Sequence, residues 1–226
     1  MGDEIVESAK AAQEIAKVAN NALDKSEKFG MFLNNIFKDG FGIISDKLEY
    51  MRWERKIRFA QKVEEINQIR RIHDKTQYVA PKLAIPIIEN ASMEEDDNLQ
   101  NLWANLLSSN QDETKNFLNR SSFIDILKQL EFIDASLLKF LYELIGTNDY
   151  RDISFKKETI LLINKLDENE YENICDNLMR LRLIRSYVVQ VKSIMVGNQH
   201  TTIDKGYEQI CLTSLGINFI KCCILE

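Results

Sequence analysis

The sequence predicts a mainly α-helical protein: a helical N-terminal region and a helical core, followed by a small C-terminal winged-helix domain of the α+β class. Three observations predict this. Only two prolines and eight glycines occur in 226 residues, which favours long helices over a many-stranded sandwich with its frequent turns. Apolar residues recur at three- and four-residue spacings before about residue 148, as on the buried face of a helix. Beyond that point the predicted elements follow the order helix, helix, hairpin, helix, which is typical of a winged helix.

Residues 1–78 are predicted to form two helices. An amphipathic helix is expected over Asp3–Leu23, because small apolar residues recur on one face among charged ones. A long, densely charged helix is expected from about Ser45 to His73. Its predicted buried stripe consists of Leu48, Met51, Phe59, Val63, Ile66 and Ile69.

The segment Phe29–Ile44 between these two helices contains four phenylalanines and three glycines. One interpretation is a pair of core helices with a turn at Gly40–Gly42. The other is an interfacial or pore-forming element, since phenylalanine mixed with glycine and flanked by lysine suits a membrane interface. Under that interpretation the candidate membrane or oligomer contacts are Phe32, Ile36, Phe37, Phe41, Ile43 and Ile44.

Residues 79–147 are predicted to form a helical core. Pro81 is expected in the first turn of a helix, and Pro86 should kink or break that helix. Ser92 and Glu95 have the spacing of a capping box that begins the next helix. The apolar face predicted for that helix consists of Leu99, Leu102, Trp103, Leu106 and Leu107. Two further helices are expected at Ser122–Leu130 and from a cap at Asp134 to a stop at Gly146.

Residues 148–226 are predicted to form the winged-helix domain. Its strands are expected at Ile153–Phe155, Tyr187–Val191 and Tyr207–Leu212, with a polar tip at Gly197–Gly206. Its helices are expected at Lys157–Leu166, from a cap at Asp167 to about Leu181, and at Thr213–Cys223.

The helix after Asp167 occupies the place of a DNA-recognition helix, yet its first turns are acidic. The acidic residues are Asp167, Glu168, Glu170, Glu172 and Asp176. The candidate contacts of the winged helix are the basic residues Arg180, Arg182 and Arg185. Because DNA contacts require positive charge at the start of such a helix, the pattern favours a domain that binds protein or dimerises.

Overall charge and cysteine usage narrow the class of protein further. A net charge of -6 and a pI of about 5.2 weigh against nucleic acid as the main partner. Cys175, Cys211, Cys222 and Cys223 have neither zinc-site nor disulfide-framework spacing, so reduced thiols in a cytoplasmic setting are expected. Residues 1–20 carry charges throughout, and no signal peptide is expected. No apolar run reaches the roughly 18 residues of a spanning helix.

Enzymatic motifs are not recognisable in the sequence. It lacks a glycine-rich phosphate loop, a nucleophile elbow and a His-Glu-x-x-His motif, and its two histidines lie far apart. The acidic cluster Glu94–Asp97 suits the start of a helix better than a metal ion, since successive side chains point about 100° apart. We therefore expect no catalytic residues, no cofactor and no metal. A nuclease built on scattered carboxylates stays open.

Residues 81–138 carry a dense, ordered set of motifs. They consist of Pro86, Ile87, Ile88 and Glu89; Ala91, Ser92, Glu94 and Glu95; Leu99, Gln100, Trp103, Ala104, Leu106 and Leu107; Phe123, Ile124, Ile126, Leu127, Gln129 and Leu130; and Asp134 with Ala135. In this pattern the chain resembles the Abi-alpha family of bacterial abortive-infection proteins. It departs from the family pattern at Ser108–Ser109 and Glu131–Ile133, both in predicted connectors.

The resemblance implies a role in defence against phage, in which an infected cell stops growing or dies before the phage matures. It supplies no catalytic residues. We therefore expect a non-enzymatic, cytoplasmic protein that self-associates or contacts a phage protein and meets the membrane surface on activation. Membrane disruption by Phe29–Ile44 would be a mechanism within that function. The alternative is a transcriptional regulator that binds DNA through the winged helix.

Overall fold

The computed structural model describes residues 47–72, 75–114, 121–146, 149–150, 153–187, 193–196, 199–202 and 207–224. This part of the chain contains eight helices and five strands. It divides into two compact units, with the boundary between Lys128 and Gln129. The sequence-based boundaries near residues 78 and 147 stay a prediction. The amphipathic helix predicted at 3–23 and the segment Phe29–Ile44 lie outside the described residues.

The first unit is a group of four helices around one central helix. The helices are α1 (Lys47–Ile69), α2 (Pro81–Met93), α3 (Asp97–Gln111) and α4 (Ser122–Leu127). Helix α3 contacts each of the other three. The core between them includes Phe59, Val63, Ile66, Ala84, Ile87, Ile88, Trp103, Leu106, Leu107, Phe123 and Leu127.

Helix α1 buries three of the six residues of its predicted stripe, and Met51 is half-buried. Phe59, Val63 and Ile66 are buried, whereas the Ile69 residue is 59% exposed, so that part of the prediction is wrong. The reason is that Asn67 and Arg70, rather than Ile69, continue the face turned toward α3. The side chain of Leu48 lies outside the described residues.

Helix α2 begins where the sequence predicts and then runs past its internal proline. Pro81 occupies the first turn, and the helix continues through Pro86 to Met93, so the predicted alternative of a break is wrong. A proline inside a helix costs about 3 kcal/mol. Burial of Ile87 and Ile88 just after it offsets this cost, because tertiary packing contributes most of a helix's stability in a protein.

Helix α3 begins at a different cap from the predicted one. Ser92 belongs to α2, and its hydroxyl donates to the Glu89 carbonyl at 2.7 Å. The N-cap of α3 is Asp96, whose carboxylate accepts the N–H groups of Asn98 at 2.7 Å and Leu99 at 3.1 Å. The predicted capping box is therefore wrong. Both Ser and Asp are good N-caps, and the choice between them depends on where α2 ends.

The second unit combines four helices with a small antiparallel sheet. The helices are α5 (Phe132–Ile145), α6 (Lys157–Asn164), α7 (Glu168–Arg180) and α8 (Ser214–Cys223). The strands are β1 (Phe155–Lys156), β2 (Ile184–Ser186), β3 (Ser193–Val196), β4 (Gln199–Thr202) and β5 (Gln209–Leu212). One sheet has the order β1-β5-β2, and β3 pairs with β4. The predicted class, mainly helical with a small sheet, is confirmed.

The predicted strand at Tyr207–Leu212 contains β5, and the one predicted at Ile153–Phe155 overlaps β1, but the region between them differs from the prediction. Strand β2 ends at Ser186, before the predicted Tyr187–Val191, of which residues 188–191 lie outside the described residues. Strand β4 lies inside the predicted polar tip. The prediction of a strand at Tyr187–Val191 relied on the β-branched residues of that segment. In the structure, the earlier residue Ile184 pairs with Leu212 in the sheet. Strand propensity is a weak guide because neighbouring strands decide the pairing.

One of the two predicted helix caps in the second unit is confirmed, since Asp167 caps α7. Thr213, which was predicted only as the start of the last helix, caps α8. Asp134, however, is the third residue of α5, and its carboxylate accepts the N–H of the N-cap Glu131 at 3.0 Å. The predicted stop at Gly146 is confirmed, since that glycine has φ 57° and ψ -123°, a conformation that side-chain-bearing residues rarely adopt.

Candidate functional site

The sequence predicts two sets of functional residues, of which the structure describes one. The apolar set, Phe32, Ile36, Phe37, Phe41, Ile43 and Ile44, lies outside the described residues. The basic set lies in the second unit: Arg180 ends α7, Arg182 follows it, and Arg185 is in β2. All three are exposed. The site is therefore built from α7 and the turn that follows it.

Helix α7 is held firmly at both ends. At its start, the Asp167 carboxylate accepts the N–H of Glu170 at 2.8 Å, and the Glu170 carboxylate accepts the N–H of Asp167 at 3.1 Å. At its end, Arg182 has a left-handed backbone with φ 61°. The N–H of Arg182 donates to Met179 and that of Leu183 to Leu178, both carbonyls of the last turn. This is a Schellman motif with arginine where glycine is usual.

Arg180 is fixed by contacts with two neighbouring residues. Its guanidinium donates to the Gln129 side-chain oxygen and to the Asn177 side-chain oxygen. The Asn177 amide in turn donates to the Asp134 carboxylate at 2.6 Å and to the Gln129 carbonyl at 3.0 Å. The start of α5 is thus tied to the last turn of α7. Burial raises the pKa of Asp134, although its hydrogen bonds to the Glu131 N–H and to Asn177 act against this.

The exposed face of α7 is acidic until its last turn. The exposed residues on this helix are Glu168, Asn169, Glu170, Glu172, Asn173, Asp176 and Arg180. The buried residues are Tyr171, Ile174, Cys175 and Leu178. Lys157 lies 3.5 Å from Glu168 and 3.4 Å from Glu172, so it partly neutralises two of the carboxylates. A helix with this face would repel phosphates over most of its length.

The acidic residues around Lys157 raise the pKa of its ammonium group. Partial burial would lower the pKa, but the hydrogen bond to Glu172 and the charge of Glu168 raise it overall. The ammonium also lies 5.9 Å from the centre of the Tyr171 ring, within the range of a cation–π contact. Lys157 is therefore a positioning residue for the acidic face and carries its charge throughout the physiological pH range.

The two titratable side chains on the buried face of α7, Tyr171 and Cys175, are not reactive near neutral pH. Tyr171 is fully buried, and its hydroxyl donates to the Tyr207 carbonyl at 2.8 Å. Burial raises the pKa of Tyr171, and it raises the pKa of the Cys175 thiol to about 12. A thiol with such a pKa is a poor nucleophile near neutral pH, because the thiolate is the reactive form. Cys211, Cys222 and Cys223 are also buried.

Helix α8 packs closely against the turn after α7. The Thr213 hydroxyl donates to the Arg182 carbonyl at 2.7 Å and accepts the N–H of Gly216 at 2.9 Å. A β-carbon added at Gly216 would overlap the Leu183 carbonyl. Only glycine allows this approach, so the conformation of the turn that carries Arg182 depends on Gly216.

The first unit contains a buried polar seam that the sequence patterns did not reveal. The seam consists of Asn67, Arg70, Asn105, Ser108, Ser109 and Gln111. Arg70 donates to the Asn105 side chain at 2.7 Å, to the Ser108 hydroxyl at 2.9 Å and to the Ser109 hydroxyl at 3.0 Å. The Asn67 amide donates to Gln111 at 2.9 Å and accepts from Ser108 at 2.6 Å. The signal in the sequence is the run of four polar residues, Ser108–Gln111, directly after Leu106 and Leu107.

Two residues of the Abi-alpha-like motif have structural roles in the same unit. Trp103 is 3% exposed, which confirms that it belongs to the core. Gln100 is fully buried; its amide donates to the Ala91 carbonyl at 3.1 Å and its oxygen accepts from Arg58 at 3.0 Å. These positions connect α1, α2 and α3 rather than form a reactive site.

Neither a metal cluster nor a membrane span is found in the described part of the chain. Over those residues, no group of three His, Cys, Asp or Glu side chains is placed to hold a metal ion. No helix described by the structure combines the length and apolarity needed to cross a bilayer.

Comparison with known proteins gives one match. A family model described as abortive infection alpha matches residues 52–223. The matched range includes described residues of both compact units. Neither a curated protein nor a solved structure matches the chain.

Proposed function

The chain belongs to the abortive infection alpha family, and from that premise we propose that it protects bacteria against phage as a non-enzymatic protein that acts through protein contacts. The observation that carries this proposal is the extent of the family match, residues 52–223, which is most of the chain. The partner is a second copy of the chain or a phage component. Its place of action is the cytoplasm, and it needs no cofactor.

We assign the second unit to the winged-helix class as part of this proposal. The order β1, α6, α7, β2, β5 and α8 supports the assignment. So does the sheet order β1-β5-β2, in which the last strand lies between the other two. In such a domain α7 is the helix that would enter a DNA groove. Its exposed carboxylates, Glu172 and Asp176 among them, support protein contact instead.

Phage challenge of bacteria with and without the gene tests the defence function. We expect fewer plaques in the presence of the gene, while a culture infected at high phage dose still collapses. Gly216→Ala is a loss-of-fold control, because its added methyl group overlaps the Leu183 carbonyl. That variant should lose the protection. Unchanged plating across a broad phage panel would remove the functional part of the proposal.

Membrane disruption on activation is the finer mechanism that we propose for the segment Phe29–Ile44. Its mixture of phenylalanine, glycine and lysine supports this. Purified protein should release dye from anionic vesicles, and Phe37→Asp should stop the release. The matched control is Asn34→Asp, which introduces the same charge at a polar position of the segment. Release that Phe37→Asp does not reduce would argue against this mechanism.

A further inference from the structure

We propose that the second unit pairs with a second copy of this chain through the exposed face of α7, with Asp176 of each copy facing Arg180 of the partner subunit. The inference rests on the proposed function and names the partner in it. Asp176 and Arg180 are both exposed. They are four residues apart, so they lie on the same side of the helix and about 6 Å apart along its axis.

Asp176 and Arg180 do not form an ion pair with each other among the described residues. Residues at this spacing on a helix often form an ion pair. Within the described residues, however, no ion pair joins Asp176 to a basic side chain. The Arg180 guanidinium is held instead by Gln129 and Asn177. Opposite charges are thus fixed side by side on one exposed surface.

A two-fold axis makes this arrangement self-complementary. If two copies of α7 cross in antiparallel orientation at the level of residue 178, residue 176 of one copy lies opposite residue 180 of the other. Leu178 itself is fully buried on the far side of the helix, so its side chain does not obstruct the crossing. The contact between Asp176 and Arg180 then forms twice, as in any isologous interface.

The other charged residues on and just after α7 also favour the antiparallel arrangement. In the same crossing, Glu172 of one copy comes opposite the residues just after α7 in the partner subunit. These residues include the exposed Arg182. A parallel arrangement would instead place like charges opposite each other along the whole helix. Exposed ion pairs are individually weak and are screened by salt, so the dimer should weaken as ionic strength rises.

Sedimentation equilibrium of the full-length protein tests the pairing. We expect a monomer–dimer equilibrium at low ionic strength. Asp176→Arg and Arg180→Asp should each weaken dimerisation at least about tenfold, since like charges then meet across the axis. An equimolar mixture of the two variants should restore a dimer, because both contacts of the mixed pair again join opposite charges. Asn169→Arg, an exposed position two turns away, is the matched control and should dimerise as the unaltered chain does.

Arg180→Asp also removes the contacts with Gln129 and Asn177, so its helical circular dichroism must be compared with that of the unaltered protein. Asp176→Arg alone tests the pairing even if Arg180→Asp fails to fold, because Asp176 forms no ion pair in the described residues. A dimer that both variants retain, or that only Leu162→Lys disrupts at the exposed surface of α6, would overturn the proposal.

The result is separable from the test of phage defence. A protein that is monomeric at every concentration and still reduces plaques would overturn the pairing and leave the defence function standing. A dimer with the charge-swap behaviour in cells that gain no protection would support the pairing and contradict the defence function.

Discussion

At three helix ends a basic residue takes the backbone conformation that glycine adopts most easily. Arg71, Lys165 and Arg182 have φ values of 57°, 55° and 61°. They follow or end α1, α6 and α7. A left-handed backbone costs a side-chain-bearing residue about 1–2 kcal/mol. A positive charge at the carbonyl end of a helix interacts favourably with the helix dipole, which offsets part of this cost.

The strain at Arg182 predicts a difference between two substitutions that remove the same charge. Arg182→Gly should have a free energy of unfolding about 1 kcal/mol higher than Arg182→Ala, because only glycine adopts this backbone without steric cost. Urea denaturation of the two variants measures the difference. Equal stabilities would mean that the turn changes its conformation when the arginine is removed.

The buried thiol of Cys175 predicts a loss of stability at alkaline pH. A free thiol in the unfolded chain titrates near pH 9, whereas burial raises the pKa of the folded thiol to about 12. Between these values the folded state binds more protons than the unfolded state, so the free energy of unfolding falls as pH rises. In Cys175→Ser this decline should be shallower between about pH 9 and pH 11. Parallel pH profiles for the two proteins, measured by denaturation, would contradict the assignment.

At the level of elements, α3 shows why periodicity alone was insufficient. The pattern predicted one apolar face, but every residue of α3 from Leu102 to Gln111 is buried. The polar positions can be buried because their partners on α1, Asn67 and Arg70, lie 35 to 44 residues earlier in the chain. A buried polar group is tolerated only when it is hydrogen-bonded. Because these partners lie far away in the sequence, a pattern within α3 cannot reveal them.

Removing the side chain of one residue in the polar seam should therefore lower the free energy of unfolding by more than the volume of that side chain suggests. In Asn67→Ala the buried Gln111 oxygen and Ser108 hydroxyl each lose a partner, and we expect a loss of about 1–3 kcal/mol in the free energy of unfolding. Gln68→Ala is the matched control, because Gln68 is exposed and its side-chain amide donates to Glu64 of its own helix. Its effect should stay within about 0.5 kcal/mol. Similar costs for both variants would show that the seam contributes little.

The cap at Asp167 was predictable from the sequence. Asp167 and Glu170 have the spacing of a capping box, and both hydrogen bonds of that box are present in the structure. Around Ser92 several good capping residues follow one another. The extended backbone at Glu94, which ends α2, makes Asp96 the cap of the next helix. Local propensity ranks such candidates almost equally, so packing of the preceding helix decides.

For the whole molecule, the sequence predicted the helical class and the family better than the site. The motifs that carry the resemblance include Gln100, Trp103 and Asp134, and all three are buried structural residues. In this chain they hold helices together, so they do not reveal what the protein contacts. Arg180, Arg182 and Arg185 were predicted as contacts of the winged helix; the structure shows that they are exposed, and their role as contacts stays a prediction. Their restraint by Gln129, Asn177 and a left-handed turn required the structure.

The overall charge makes a last prediction, which separates protein contact from DNA binding. The net charge of -6 and the carboxylates on α7 leave Arg180, Arg182 and Arg185 as an isolated basic end. A DNA-binding protein that neutralises several phosphates loses affinity steeply as salt rises. We expect the purified protein not to shift duplex DNA in a mobility-shift assay near physiological salt.

Arg185→Glu extends this test to the cell, because Arg185 is exposed and lies in β2 outside the Asp176–Arg180 contact. The variant should still reduce plaques in a phage challenge, with at most a few-fold change in dimer affinity, since a single exposed ion pair contributes about 0–1 kcal/mol. A DNA shift that falls steeply with salt and disappears together with phage protection in Arg185→Glu would favour a regulator that binds DNA through α7. The acidic first turns of that helix would then have to be turned away from the phosphates.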